Sequence, residues 1–245
     1  MVLPLVASAE ISTNEISTNE ISMKALVSTG ASPLGPSLGK WNFEIIEKPV
    51  LSPSEGEVSI RVHAASVNPV DWKVAAFQPN PGPLGRDYAG TIVSVGGGCS
   101  HLSIGQEVYG ASSAAFAQYA SVRCDRLGIR APSSPMTLAD YATLPIGAGT
   151  SLEALWKAGA PWAPTRNLTV VVTSGGGGTG VYALQEARAL GASRVITAAR
   201  AEHAPLLRSL GATDVVDYTK QSLWDALPPD SVDVVYDVSA AARSN

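Results

Sequence analysis

The run Leu168-Thr-Val-Val-Val172, then Thr173, then Ser174-Gly-Gly-Gly-Gly-Thr-Gly180 decides the fold of this chain. A continuous apolar run of that length reads as a strand covered on both faces. Beyond the glycines, Val181, Leu184, Ala187 and Leu190 recur at helical spacing and predict a helix from about Gly178 to Leu190. Strand, glycine turn and helix in that order bring bare backbone and unpaired helix N–H groups to one point. Such a point suits a pyrophosphate, because the backbone approaches the anion closely and the helix start carries a partial positive charge. The candidate cofactor-binding residues of the loop are therefore Ser174, Gly177, Gly178, Thr179 and Gly180. The plainer alternative is a flexible turn with no ligand.

Downstream the rhythm repeats. Arg194-Val-Ile-Thr-Ala198 reads as a second strand, the stretch from Ala201 to Leu210 as a helix, Asp214–Asp217 as a third strand and Val232–Val238 as a fourth. Strands alternating with helices imply crossover connections and a parallel sheet, so residues 145–245 are expected to form an α/β, doubly wound dinucleotide-binding domain. A complete domain of this type has six strands ordered 3-2-1-4-5-6. Four precede Asn245, which predicts a C-terminally truncated domain whose fourth strand is an exposed, aggregation-prone edge. NAD-binding domains place an acid about 20 residues past the loop, on the adenosine ribose. Here that place falls on Arg200, with no Asp or Glu at the end of the second strand. A guanidinium attracts the 2′-phosphate that a carboxylate would repel, so NADPH is expected rather than NADH. The alternative is a solvated surface arginine.

Upstream, from Met23 to Leu144, glycines and prolines punctuate short strands: Val58–Val62, Gly90–Val95, Val108–Gly110 and Gln118–Val122. This pattern predicts a partly open antiparallel β-barrel. Residues 1–22 contain the tandem Ile-Ser-Thr-Asn-Glu repeat and read as a flexible tail; its apolar start lacks the basic residue of a signal peptide, and the repeat lacks the arginines of a mitochondrial presequence. Of the 245 residues, 45% are hydrophobic and 16% charged, enough apolar material for a core, and the net charge of -4 argues against nucleic acid as a partner. No apolar run is long enough to span a bilayer. The two cysteines, Cys99 and Cys124, lack metal or redox spacing and are expected to be free, partly buried thiols, which fits a reducing, cytoplasmic setting.

Several segments together resemble the medium-chain dehydrogenase/reductase superfamily: Ser66-Val-Asn-Pro-Val-Asp-Trp-Lys73, Gly85-Arg-Asp-Tyr-Ala-Gly90, Ala115-Phe-Ala-Gln-Tyr119 and Leu210-Gly-Ala-Thr-Asp-Val-Val-Asp-Tyr218. The likeness is to its quinone oxidoreductase and enoyl reductase branch, and it runs from Met23 to about Ala240. It implies a GroES-like barrel joined to a Rossmann domain. The elements that hold catalytic zinc in the alcohol dehydrogenases correspond here to Asn68, Gly85-Arg86-Asp87 and Ala148. Neither thiolate nor imidazole is among them, so no metal is expected. The resemblance also implies that Thr150 lies near the nicotinamide and Tyr218 near the adenosine phosphate. It implies a homodimeric parent, joined through the edge that this chain lacks.

The chemistry so implied is conjugate reduction of an enone, an enoyl thioester or a quinone by NADPH. Negative charge develops on the substrate oxygen, and donors aimed at it lower the barrier. The candidate catalytic residues are Asn68, bonding the nicotinamide ribose or the substrate, and Lys73, stabilising or protonating the enolate as the matching lysine of related trans-acting enoyl reductases would. Asp71 is expected as an N-cap or as a partner of Lys73. The plainer reading of Lys73 is a solvated surface lysine. Two other functions fit the same pattern: a non-catalytic NADPH-binding structural or sensing protein, and an enoyl reductase component of an acyl pathway.

Overall fold

The structure, a computed structural model, describes residues 2–4, 22–29, 43–77 and 82–238. The chain divides into two compact units, Met1–Ile146 and Gly147–Asn245. In the first, the strands are β1 (Val2–Pro4), β2 (Ser22–Ser28), β3 (Phe43–Pro49) and β4 (Glu57–Ser66). After helix α1 (Pro69–Phe77) come β5 (Gly82–Pro83), β6 (Asp87–Val95), β7 (Glu107–Ala111), β8 (Tyr119–Arg123) and β9 (Leu127–Ile129). The short helix α2 (Leu138–Tyr141) precedes α3 (Leu144–Lys157), whose first turn belongs to this unit.

The long strand β4 organises the antiparallel sheet, pairing with β6 along one edge and with β1 and β8 along the other. Val58, Ile60 and Val62 enter a core with Tyr88, Ile92, Val108 and Val122. Ser59 is buried as well, against the alternation expected of a half-exposed strand; its hydroxyl donates to the Leu51 carbonyl at 3.4 Å. Of the segment read as a tail, Val2–Pro4 pair with Ala64–Ser66, and residues 5–21, the tandem repeat included, lie outside the described residues.

The free thiols expected from the sequence are not found. Cys99 and Cys124 form a disulfide, with their Cα atoms 5.9 Å apart. Strands β6 and β8 both pair with β4, and Val58 faces Val95 on one side and Val122 on the other. Each cysteine follows one of those flanking strands, so the register of β4 brings together thiols that are 25 residues apart in sequence. With the pair oxidised, free thiols no longer support a reducing compartment.

The second unit carries β10 (Thr169–Val172), α4 (Gly180–Ala189), β11 (Arg194–Ala199), α5 (Ala204–Ser209), β12 (Asp214–Asp217) and β13 (Val234–Tyr236). All pairs are parallel and the order is β12-β11-β10-β13, the third, second, first and fourth strands of a doubly wound sheet. Both faces of β10 are covered: Val170 and Val172 pack with Ala183, Leu184 and Ala187 of α4, and Val171 packs with Ile196 and Leu223. The helix expected from Ala201 to Leu210 is split into a 3-10 turn, Ala201–His203, and α5. Pro205 sits in the first turn of α5, where a missing N–H costs nothing and an earlier helix would clash. Helix α3 is tied to α4 by Ser151, fully buried, whose hydroxyl donates to Glu186 Oε2 at 2.6 Å. Burial pushes the Glu186 carboxyl up, and the Ser151 hydrogen bond pulls it back in part. No described helix is long and apolar enough to cross a membrane.

Two stability tests follow from this packing. Replacing Cys99 and Cys124 by serine together is expected to cost about 3.5 kcal/mol, the loop-closure value for a bridge of this span, read as a lower urea midpoint that dithiothreitol reproduces in the native chain. Glu186 has a folded pKa above its unfolded one, so the stability it contributes at acid pH is lost as pH rises toward neutrality. Glu186→Gln keeps the acceptor for Ser151 without titrating. The variant should therefore gain on the native chain between acid and neutral pH, and parallel stability curves would refute the burial effect.

Candidate functional site

In the second unit the site begins with Thr197, on β11 opposite Val172 of β10. Its buried hydroxyl donates to the Val172 carbonyl at 2.6 Å and accepts the Gly175 N–H at 2.9 Å. The chain is thereby turned off the end of β10 at a fixed point. A Cβ on Gly175 would lie 2.4 Å from Thr197 Oγ1, and one on Gly180 would lie 2.0 Å from the Ser174 carbonyl oxygen. Only glycine permits either approach. The Gly177 N–H returns to the Ser174 carbonyl at 3.0 Å, and Val181 N–H reaches the Gly177 carbonyl at 3.1 Å.

The remainder of the loop is open. Gly176, Gly177 and Gly178 are exposed, and no atom lies within 4 Å of a Cβ built on Gly176 or Gly178. Among the described residues, the N–H groups of Gly176, Gly178, Thr179 and Gly180 meet no acceptor. Thr179 is the N-cap of α4, yet its side chain makes no capping bond. Unpaired donors at a helix start, beside backbone with no side chain over it, form a surface that an anion completes.

Register places the other candidates at the same end of the sheet. Ala199 pairs with Asp217, so Arg200 and Tyr218 leave adjacent strands side by side, both exposed. Arg200 forms no ion pair among the described residues. Two acids close to it in the chain or across the strand pair are occupied elsewhere: Asp217 accepts from the Thr219 N–H and hydroxyl at 3.0 and 2.6 Å, and Glu202 pairs with His203 at 3.5 Å. Thr150 is exposed on α3, one turn beyond Gly147. A Cβ on Gly147 would lie 2.6 Å from the Tyr182 ring and 3.5 Å from the Gly178 carbonyl, so this part of α3 runs against the loop.

In the first unit the structure assembles a different cluster. Asp87 opens β6 with no exposed surface. Its Oδ2 accepts the Ser66 hydroxyl and the Asn68 side-chain amide, each at 2.7 Å, and its Oδ1 accepts the Ile146 N–H of α3 at 3.0 Å. Burial pushes the Asp87 carboxyl up, and the three donors oppose that shift. Pro69 begins α1, and Asp71, in its first turn, accepts the Asn68 backbone N–H at 2.7 Å. Asp71 thus takes the inward role of a capping box, neither N-cap nor partner of Lys73. Residues two apart on a helix diverge, and no ion pair joins Asp71 to Lys73 among the described residues. Burial raises the Asp71 carboxyl, against the Asn68 backbone N–H, the Arg86 charge and the Arg86 backbone N–H. Lys73 is exposed, with Nζ 5.5 Å from the Trp72 ring centroid and outside the Asp87 cluster.

The structure therefore gathers Ser174, Gly177, Gly178, Thr179, Gly180, Arg200 and Tyr218 at the carboxyl end of one sheet and sets Asn68 on Asp87. Within the first unit, Lys73 stands outside the Asp87 cluster. Sequence reasoning missed Thr197, Ser66, Asp87 and the Ile146 N–H. A signal for Asp87 was present: an acid leading into Tyr-Ala-Gly-Thr-Ile has to be buried with partners.

Known proteins share this architecture. Residues 54–152 match the alcohol dehydrogenase GroES-like domain, and residues 178–244 match the zinc-binding dehydrogenase domain. The chain is 35% identical to 2-methylene-furan-3-one reductase of Solanum lycopersicum, over 75% of this chain and 50% of that protein. It is 34% identical to the chloroplastic NADPH-dependent alkenal/one oxidoreductase of Arabidopsis thaliana, again over 75% of this chain and 50% of the relative. The quinone oxidoreductase of Coxiella burnetii superposes with a TM-score of 0.72 at 25% identity, covering 89% of this chain and 68% of that one. The chain spans about half the length of the curated relatives it matches. By its two domain types, their order and these likenesses, the chain belongs to the medium-chain dehydrogenase/reductase family, in its quinone oxidoreductase and enoyl reductase branch.

Proposed function

We propose that this chain serves an NADPH-dependent reductase acting on the activated double bond of an enone, an enoyl thioester or a quinone. The observation that carries the reading is the open loop, whose donors at Gly176, Gly178, Thr179 and Gly180 await an anion beside an uncommitted Arg200. A pyrophosphate fits those N–H groups, and a 2′-phosphate fits the guanidinium. When bound, NADPH supplies the hydride. The loop holds the diphosphate, Arg200 and Tyr218 flank the adenosine phosphate, and Thr150 lies toward the nicotinamide.

Hydride arriving at the β-carbon sends charge to the substrate oxygen, where an ammonium stabilises it and returns a proton. We assign this role to Lys73, whose ammonium is exposed. Asn68 does not take it, because its amide hydrogens are directed at Asp87 and Ser66. The description of the second matched domain does not bring a metal to this chain. The positions corresponding to the zinc-holding elements offer the Asn68 amide bound to Asp87, the Arg86 guanidinium in place of an imidazole, the Asp87 carboxylate already accepting three hydrogen bonds, and Ala148. That donor set supports zinc-independent chemistry. The enone reading also draws support from the two curated relatives, whose names are those of enone and alkenal reductases.

Nucleotide titration of the full chain tests the cofactor: NADPH should bind more tightly than NADH, and Arg200→Ala should weaken NADPH by roughly thirtyfold, the worth of a charge-assisted pair, while leaving NADH unchanged. Equal affinity for both nucleotides would remove the role given to Arg200. Turnover is read as NADPH oxidation with a panel of enones, enoyl thioesters and quinones. Lys73→Ala should lower kcat by about a hundredfold, as loss of a general acid does; unchanged turnover at saturating substrate would take Lys73 out of the mechanism.

A further inference from the structure

A carboxamide has two ends of opposite hydrogen-bonding character, and its surroundings decide which is presented to a ligand. Asn68 Nδ2 lies 2.7 Å from Asp87 Oδ2 and 3.4 Å from Ser66 Oγ. Its Oδ1 takes no hydrogen bond among the described residues. The orientation follows from chemistry. Asp87 already receives the Ser66 hydroxyl hydrogen and the Ile146 N–H, so it is met from every side as an acceptor. Turning the amide around would set two oxygens 2.7 Å apart with no hydrogen between them. Both members are held in place. Asp87 has no exposure, and the Asn68 backbone is pinned by Asp71 at 2.7 Å.

We propose that Asp87 is a positioning residue that keeps the Asn68 nitrogen turned inward and leaves its carbonyl oxygen unspent, so that Asn68 serves as a hydrogen-bond acceptor for an O–H or N–H group of a bound reactant. The inference rests on the reductase reading, since the reactants are those of that reaction. It assigns Asn68 to holding a hydroxyl or amide, a bond equally strong before and during hydride transfer, and withdraws it from stabilising charge on the substrate oxygen. The other ionisable groups about Asp87 are Asp71, whose charge opposes ionisation of Asp87, and Arg86, whose charge favours ionisation of Asp71.

Two measurements on the full chain test this. In nitrogen-15-labelled protein, the Asn68 side-chain amide pair should shift with the titration of one carboxyl group. That titration should persist in Asp71→Asn and vanish in Asp87→Asn. Should Asp87→Asn fail to fold, Ser66→Ala keeps the carboxylate and removes one donor, and the Asn68 midpoint should then move up. An Asn68 amide that does not titrate, or that titrates unchanged in both the Asp87 and Ser66 variants, overturns the proposal. In turnover, Asp87→Asn frees Asn68 to present either end, so KM should rise roughly tenfold with kcat within about twofold, the signature of lost uniform binding. A rise in KM for NADPH identifies the nucleotide as the donor, and a rise for the enone or quinone identifies the substrate. A fall in kcat at unchanged KM would make Asn68 a transition-state donor and overturn the proposal. If the native chain oxidises no NADPH with any acceptor, the reductase reading fails by itself, and the amide titration still decides the orientation of Asn68.

Discussion

A carboxylate shut off from solvent has to be met by donors, and Asp87 draws them from three separate segments of the first unit. Ser66 comes from the end of β4, Asn68 from the approach to α1, and Ile146 from the first turn of α3. Leaving such a group unpaired costs several kcal/mol, so the three segments are held to one geometry by a single side chain. The consequences run both ways along the chain. The start of α1 is fixed, which fixes Asn68, and the start of α3 is fixed, which sets where the chain leaves the barrel.

The second unit solves a similar problem with a neutral group. The Thr197 hydroxyl spends its hydrogen on Val172 and its lone pair on Gly175, so two backbone groups at the end of β10 are satisfied from the neighbouring strand. The loop can then leave its remaining N–H groups unpaired without loss of order, because its entry is clamped and its exit is the helix α4. Unspent donors on rigid backbone are what an anion requires, since little ordering is left to be done on binding. A hydroxyl between two strands thus governs a surface it never reaches.

Much of this architecture is legible from the residues alone, and the reason is periodicity. The run at Leu168–Val172, the helical spacing of Val181 to Leu190 and the apolar strand at Arg194–Ala198 each declare their element, and the order of the parallel sheet agrees. Where reading stopped short, the cause was pairing between distant residues. No local signal tells that Cys99 and Cys124 flank the same strand, since that depends on the register of β4 with two partners. Likewise Asp71 and Lys73 stand close in sequence, but the helix sends them apart. Asp87 was noticed only for what it would not bind, a metal, and its role as an acceptor emerges once Ser66, Asn68 and Ile146 surround it. The places of Arg200 and Tyr218 in the fold were easier to read, because both lie just past strand ends that the pattern locates.

The disulfide also changes what an intact chain means. Residues 99 and 124 are joined covalently, so the polypeptide between them, including Ile104 at 65% exposure, forms a closed ring. A protease that cuts within the ring opens one peptide bond without releasing either half. Such a nicked molecule migrates as a single species on a denaturing gel until a thiol is added, and only then separates into an amino-terminal piece carrying Asp87 and a carboxyl-terminal piece carrying the glycine loop.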